Sequence, residues 1–140
     1  MASTYMLEIV TPDKKFFSDE VEMTIIRTST GDMGILKDHE LTVAPLEIGS
    51  IRIKKGNDKK NAACSSGFVN IEEDVVTIIT DSAEWADEID IKRAQFAIER
   101  AEERLKEKKH EIDVGRAKVS MARAMNRVNV AKKQIDHSNL

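Results

Sequence analysis

Hydrophobic periodicity changes once along this 140-residue chain, and that change limits the fold more than any other feature. In the first part, apolar residues alternate with polar ones in short runs. In the last part, they recur at spacings of three and four. Chain breakers follow the same division. Both prolines (Pro12, Pro45) and five of the six glycines precede residue 85, and only Gly115 follows it. A strand-built domain over 1–85 and a helical one over 86–140 are therefore expected, with the boundary near Trp85 to Asp87. The fold class is α+β: an N-terminal β-sandwich or barrel-like domain followed by a C-terminal antiparallel two-helix hairpin.

Within the first part, Tyr5-Met6-Leu7-Glu8-Ile9-Val10 is β-rich and ends at the turn signal Thr11-Pro12-Asp13. Glu20-Val21-Glu22-Met23-Thr24-Ile25 alternates at period two, as a strand with one face on a core does. Gly31-Asp32-Met33-Gly34 reads as a break. Leu46 to Ile53 alternates with a phase slip at Gly49-Ser50, which predicts a bulge or sharp bend. Gly56-Asn57-Asp58 predicts a hairpin turn. A second hairpin is predicted where Phe68 to Ile71 and Val75 to Ile79 flank Glu72-Glu73-Asp74.

In the second part, Ile91, Ala94, Ile98, Ala101 and Leu105 make one narrow apolar stripe. Val114, Ala117, Met121, Ala124, Val128, Ala131 and Ile135 make another. Asp87 or Asp90 suits the start of the first helix, and the polar stretch Lys106 to Asp113 suits the reversal. Alanine-rich stripes allow close approach but bury little area, so the pairing is expected to be modestly stable and able to open.

Charge excludes some functions. The chain carries 22 basic and 25 acidic side chains, net −3, without the basic surplus of a nucleic-acid binder. The halves differ: 9 basic and 15 acidic over 1–85, against 13 and 10 over 86–140, so the hairpin is net +3. No run is long and apolar enough for a membrane span, and Met1 to Met6 has no basic or apolar signal regions, so no secretory leader is expected. One cysteine, Cys64, fits a reducing compartment and reads as a small, half-buried hydrophobe. His39, His110 and His137 lie far apart in sequence, and no metal site is expected. Phosphate-loop, GxGxxG and HExxH patterns are absent, and no catalytic residues are assigned.

One constellation bears on ligands. Arg93 and Arg100 lie two turns apart on the first helix, and Arg123 and Arg127 one turn apart on the second. A folded hairpin brings four guanidinium groups near Asp90, a donor set suited to phosphate oxygens. The plainer alternative is solvated helix faces with pairs worth only ~0.2–0.5 kcal/mol each.

Four stretches in order resemble a known family. They are Val10 to Asp13; Gly31-Asp32-Met33-Gly34-Ile35-Leu36-Lys37-Asp38-His39; Ser66-Gly67-Phe68 with Val76 to Glu84; and Ile89-Asp90 to Ala94 with Arg123-Ala124-Met125-Asn126-Arg127. Together they resemble the epsilon subunit of bacterial F-type ATP synthases. The resemblance spans nearly the whole chain. It departs at Lys37, where the family usually has proline, at Ser66, where a second glycine is common, and at Gly115, which loosens the second helix by about 1 kcal/mol relative to alanine.

The resemblance implies a non-catalytic rotor subunit of the central stalk, peripheral to the cytoplasmic face of the cell membrane through its complex. The β domain would contact the gamma subunit and the c-ring, with Asp32 and His39 as contact residues. The hairpin would be an inhibitory element reaching the alpha/beta catalytic head. It also implies ATP as a regulatory ligand held by Glu84, Ile89, Asp90, Arg93, Ala94, Arg100, Arg123 and Arg127, with no catalytic cofactor. Alternatives of a different class are a free-standing nucleotide-sensing regulatory protein and an adaptor whose hairpin never moves.

Overall fold

The computed structural model describes residues 3–107 and 111–138, with side chains described to residue 107 and over 114–133. It divides into two compact units, Met1–Trp85 and Ala86–Leu140.

The first unit is a sandwich of two five-stranded sheets. Its strands are β1 (Tyr5–Val10), β2 (Lys15–Val21), β3 (Met23–Thr28), β4 (Gly31–Ile35), β5 (Thr42–Leu46), β6 (Gly49–Lys55), β7 (Asp58–Cys64), β8 (Gly67–Ile71), β9 (Val75–Thr80) and β10 (Ala83–Trp85). One sheet has the order β2-β1-β9-β8-β5, the other β10-β7-β6-β3-β4. Pairing is antiparallel except for β1 beside β9, which is parallel. Leu7, Ile9, Val69 and Ile78 from the first sheet meet Ile26, Ile35, Ile51 and Ala62 from the second in one buried core.

The two predicted hairpins are present. β6 and β7 join through Gly56-Asn57, with Lys55 opposite Asp58. Gly56 has φ +60°, the value a two-residue turn of this kind requires of its first residue. β8 and β9 join across Glu72 to Asp74, where Asp74 has φ 64° and Glu72 N donates to Val75 O at 2.9 Å. The phase slip at Gly49-Ser50 is the bend of a sheet change, not a bulge: β5 ends at Leu46 in one sheet, and β6 starts at Gly49 in the other with unbroken register against β7.

Two readings are corrected. The alternating run from Glu20 to Ile25 is two strands, not one. β2 ends at Val21, β3 begins at Met23 in the opposite sheet, and Glu22 is the corner. Val21 is buried on one side of that corner, while Thr24 and Ile26 are buried on the other, so the phase shifts from odd to even. Thr24 tolerates full burial because the Tyr5 hydroxyl lies 2.6 Å from its Oγ1 and also donates to Ile35 O at 3.0 Å. Nor is Gly31 to Gly34 a break. It forms most of β4, an edge strand paired to β3 with Thr28 opposite Gly31.

Two further corners switch sheets side by side, at Ser65-Ser66 and at Asp81-Ser82. Ser65 N donates to Ser82 O at 3.1 Å, and Asp81 N to Ser66 O at 3.2 Å. The buried Thr80 hydroxyl donates to Ser65 O at 3.0 Å and lies within 3.3 Å of Ser66 O and 3.2 Å of Ser82 O. Polar backbone that leaves a ladder must be paired elsewhere, and Thr80 does part of that pairing.

Cys64 is more enclosed than its sequence suggested: it is 5% exposed, and burial pushes its thiol up to about 12 from the usual 9.0. The thiolate is the reactive form, so iodoacetamide at pH 8 should label the native chain slowly and the denatured chain quickly. The folded state keeps this proton where the unfolded chain releases it. The resulting stabilisation is full below about pH 9 and is lost as pH rises through about 12. Burial raises Tyr5 in the same direction. Denaturant midpoints should therefore fall above pH 9, and Cys64→Ala should remove the thiol's share of that slope.

The second unit begins with a short 3-10 turn (Ala86–Glu88) that packs on the last helix. Helix α1 covers Ile91–Glu107 and α2 covers Glu111–Ser138. The helices pack on each other across a connection only three residues long, 108–110, which lies outside the described residues. So short a link between packed helices of this length requires an antiparallel pair. Ala94 and Ala101 of α1, and Ala117, Ala124, Val128 and Ala131 of α2, are buried as the two stripes predict. Val130 is buried too, although it lies off the predicted stripe. Ile135 falls outside the described side chains.

Candidate functional site

The eight residues proposed for ATP divide between the two units. Glu84 lies on β10 of the first unit. The other seven belong to the second unit. Ile89 is buried at the entry to α1, and Ala94 is wholly buried on that helix. Asp90 is the N-cap of α1. Its Oδ1 accepts from Arg93 N at 3.1 Å, and its carbonyl accepts from Ala94 N at 3.1 Å. That satisfies one of the donors a helix start leaves unpaired, so this residue has a local structural role whatever else it binds.

Arg93 and Arg100 are exposed on α1. On α2, Arg123 is exposed and Arg127 half-buried. Antiparallel geometry sets their heights. Counted from position 109, Ala101 and Ala117 are each eight residues away, and Ala94 and Ala124 are each fifteen. Arg93 lies sixteen residues before that position; Arg123 and Arg127 lie fourteen and eighteen after it. At about 1.5 Å of rise per residue these counts differ by no more than about one helical turn. Arg100 follows Arg93 by seven residues, about two turns along α1. A guanidinium-rich donor set of this kind fits a polyphosphate, and it offers no carboxylate cluster for a divalent ion. Among the described residues no group of three or more His, Cys, Asp or Glu side chains is placed to hold a metal ion.

The two residues proposed for partner contact lie on different elements. Asp32 is on β4, between two guanidinium groups: Arg27 at 3.3 Å on the adjacent strand β3, and Arg52 at 3.2 Å on β6. All three are about half exposed, so the triad orders the surface more than it stabilises the fold. Arg27 and Arg52 were not singled out from the sequence. Arg27 is five residues from Asp32, but Arg52 is twenty away and reaches it only through the β3–β6 pairing. His39 is on the short loop between β4 and β5. Its Nδ1 lies 2.9 Å from Glu40 O, and its N donates to Leu36 O at 3.2 Å. The loop is shorter than the sequence implied, because residues 31–35 are strand.

The described part of the chain also presents an apolar row. Val10, Ile79, Phe68 and Pro45 stand opposite one another across β1, β9, β8 and β5. Ile79 and Phe68 are 55% and 58% exposed. No helix among the described residues is long and apolar enough to cross a membrane.

Comparison with known proteins covers both units. Residues 4–86 match the model for the ATP synthase delta/epsilon chain beta-sandwich domain, and residues 87–132 match that for the delta/epsilon chain long alpha-helix domain. An ATP synthase epsilon chain of Alkaliphilus oremlandii is 56% identical over 105 residues, covering 75% of this chain and 78% of that one. One from Caldanaerobacter subterraneus is 49% identical over 110 residues, 78% of this chain and 80% of that one. Among solved structures, a chain of the Euglena gracilis mitochondrial ATP synthase (OSCP/F1/c-ring) superposes with a TM-score of 0.78 at 26% identity, over 87% of this chain and 78% of that one. A chain of the Tetrahymena thermophila central stalk/c-ring assembly shares the fold, with a TM-score of 0.61 at 13% identity over 93% and 98%. With the sandwich and the helix pair both matched, in order and over most of their length, the chain belongs to the ATP synthase epsilon-chain family.

Proposed function

We propose that this chain is a non-catalytic subunit of the ATP synthase central stalk, joining the gamma subunit to the c-ring and restraining ATP hydrolysis through its helical hairpin. The observation that carries the reading is the tiling of residues 4–132 by the family's two domains, supported by relatives found in F1/c-ring assemblies. The sandwich supplies a rigid body for contact with the stalk and ring, with Asp32 and His39 at its polar surface. The hairpin supplies a switch. Its seam is largely alanine, so closing it buries little apolar area, and a modest ligand free energy changes its population.

ATP is the ligand proposed for the closed hairpin. Arg93, Arg123 and Arg127 stand near one level to receive phosphate oxygens, with Arg100 two turns away. Asp90 accepts from the base or ribose while it caps α1, and Ile89 and Ala94 shape the apolar side. Bound at 100 times its dissociation constant, such a ligand favours the closed state by ~2.7 kcal/mol. Closed, the hairpin is withdrawn from the alpha/beta head. Open, its basic surface suits acidic faces there and opposes hydrolysis.

The assembly claim is tested by co-purification. The tagged chain, expressed with the gamma subunit and c-ring, should recover both at stoichiometric yield. Recovery of the chain alone, with ATP still bound, would instead favour a free-standing nucleotide sensor.

A further inference from the structure

The aromatic cluster at the end of the sandwich has a role that the proposed switch leaves unassigned. β10 is three residues long, an edge strand paired only to β7, with Ala83, Glu84 and Trp85 opposite Cys64, Ala63 and Ala62. A strand so short is poorly held by its ladder alone. Trp85, its last residue, is gripped from two other strands. Its ring stacks on Phe16 with centroids 4.4 Å apart and planes 27° apart, and meets the edge of Phe17 at 5.8 Å and 74°. Both phenylalanines are on β2, in the opposite sheet. The Lys60 ammonium, from β7, lies 5.1 Å from the Trp85 centroid and 5.9 Å from that of Phe17. These are favourable aromatic and cation–π geometries. The next residue, Ala86, is buried and opens the 3-10 turn that packs on α2. The chain therefore passes from one unit to the other across a single peptide bond.

We infer that Trp85 is the fixed anchor of the hairpin: the Phe16–Phe17–Lys60 grip holds β10 on the sandwich, and every rearrangement of the helical unit turns at the Trp85–Ala86 junction. The inference rests on the reading of the hairpin as a switch. An unanchored β10 would peel from β7 when the helices move, exposing the buried Cys64 and Ala63 beside it. The grip confines the motion and leaves the sandwich unchanged in both states.

Hydrogen exchange on the full chain tests this. Ala101→Asp combined with Ala117→Asp puts two carboxylates into the helix seam and opens the hairpin. Peptides within 91–107 should then lose protection, while the peptide through 83–85 should keep its parent rate and the emission of Trp85, the sole tryptophan, should not shift. Trp85→Ala should raise exchange in 83–85 roughly tenfold or more with β6 unaffected, and Trp85→Phe should restore much of the protection. Loss of protection at 83–85 in the seam variant, or unchanged exchange in Trp85→Ala, would overturn the anchor. Should Trp85→Ala fail to fold, the seam variant and Trp85→Phe decide the question. Failure of the nucleotide reading shows separately, as no change in hairpin exchange on adding ATP to the parent chain.

Discussion

Gly67→Ala should destabilise the sandwich by about 3 kcal/mol or more, a large share of a domain's stability. Gly67 sits opposite Thr80 at the start of β8, beside the two paired corners. A Cβ there would run into the carbonyl oxygen of Ile79 and stand 2.8 Å from Thr80 Cα. Both obstacles are backbone, so neither can rotate away. The backbone shift that would relieve them breaks the bonds by which Thr80 and Asp81 hold the Ser65-Ser66 corner. Gly34→Ala is the control: on edge strand β4 an added Cβ meets nothing within 4 Å, so its cost should stay within about 1 kcal/mol. Denaturant unfolding followed by circular dichroism separates the two, and equal midpoints would contradict this account of the corner.

The second large effect is on ligand affinity. Arg93→Ala and Arg123→Ala should each weaken ATP binding to the isolated chain by roughly 10- to 100-fold, the range for losing one charge-assisted hydrogen bond of ~1.5–3 kcal/mol. Titration calorimetry measures this directly. Helix content should be nearly unchanged, since both side chains are exposed. Asp90 needs a more careful variant because it caps α1. Alanine would remove cap and ligand together. Serine caps a helix about as well as aspartate, so Asp90→Ser keeps the helix start and removes the carboxylate. Loss of affinity in Asp90→Ser with unchanged helicity assigns Asp90 to the ligand; retained affinity leaves it the cap alone.

Much of the fold was legible in the sequence where local chemistry decides it. β1, the Gly56-Asn57 turn, the Glu72–Asp74 turn and both helices follow from period, breakers and caps. What escaped depends on partners distant in sequence. β2 shows no alternation because, as an edge strand, it has Phe16 and Phe17 half-covered and Ser18, Asp19 and Glu20 exposed. β4 read as a break because its two glycines are turn formers, and only pairing with β3 makes it a strand. The corner at Glu22 was invisible because Thr24 is polar; its burial depends on Tyr5, nineteen residues earlier.

The same limit applies to the candidate sites. The placement of Arg93 and Arg100 on α1 and of Arg123 and Arg127 on α2 was legible because helical spacing is a local rule. The capping role of Asp90 was legible as one of two choices, and the structure selects it over Asp87. The Arg27–Asp32–Arg52 triad and the grip on Trp85 were not legible. Each joins strands whose neighbourhood is set by sheet order, which no spacing along the chain encodes.

The claim on which the functional account turns is that ATP holds a thinly seamed pair of helices closed. The most direct measurement is the distance between spin labels on exposed positions of α1 and α2, at Gln95 and Ala122, within the assembled complex. With ATP present the distribution should be short and narrow; with ATP withdrawn a long component should appear. One unchanging distribution under both conditions would contradict it.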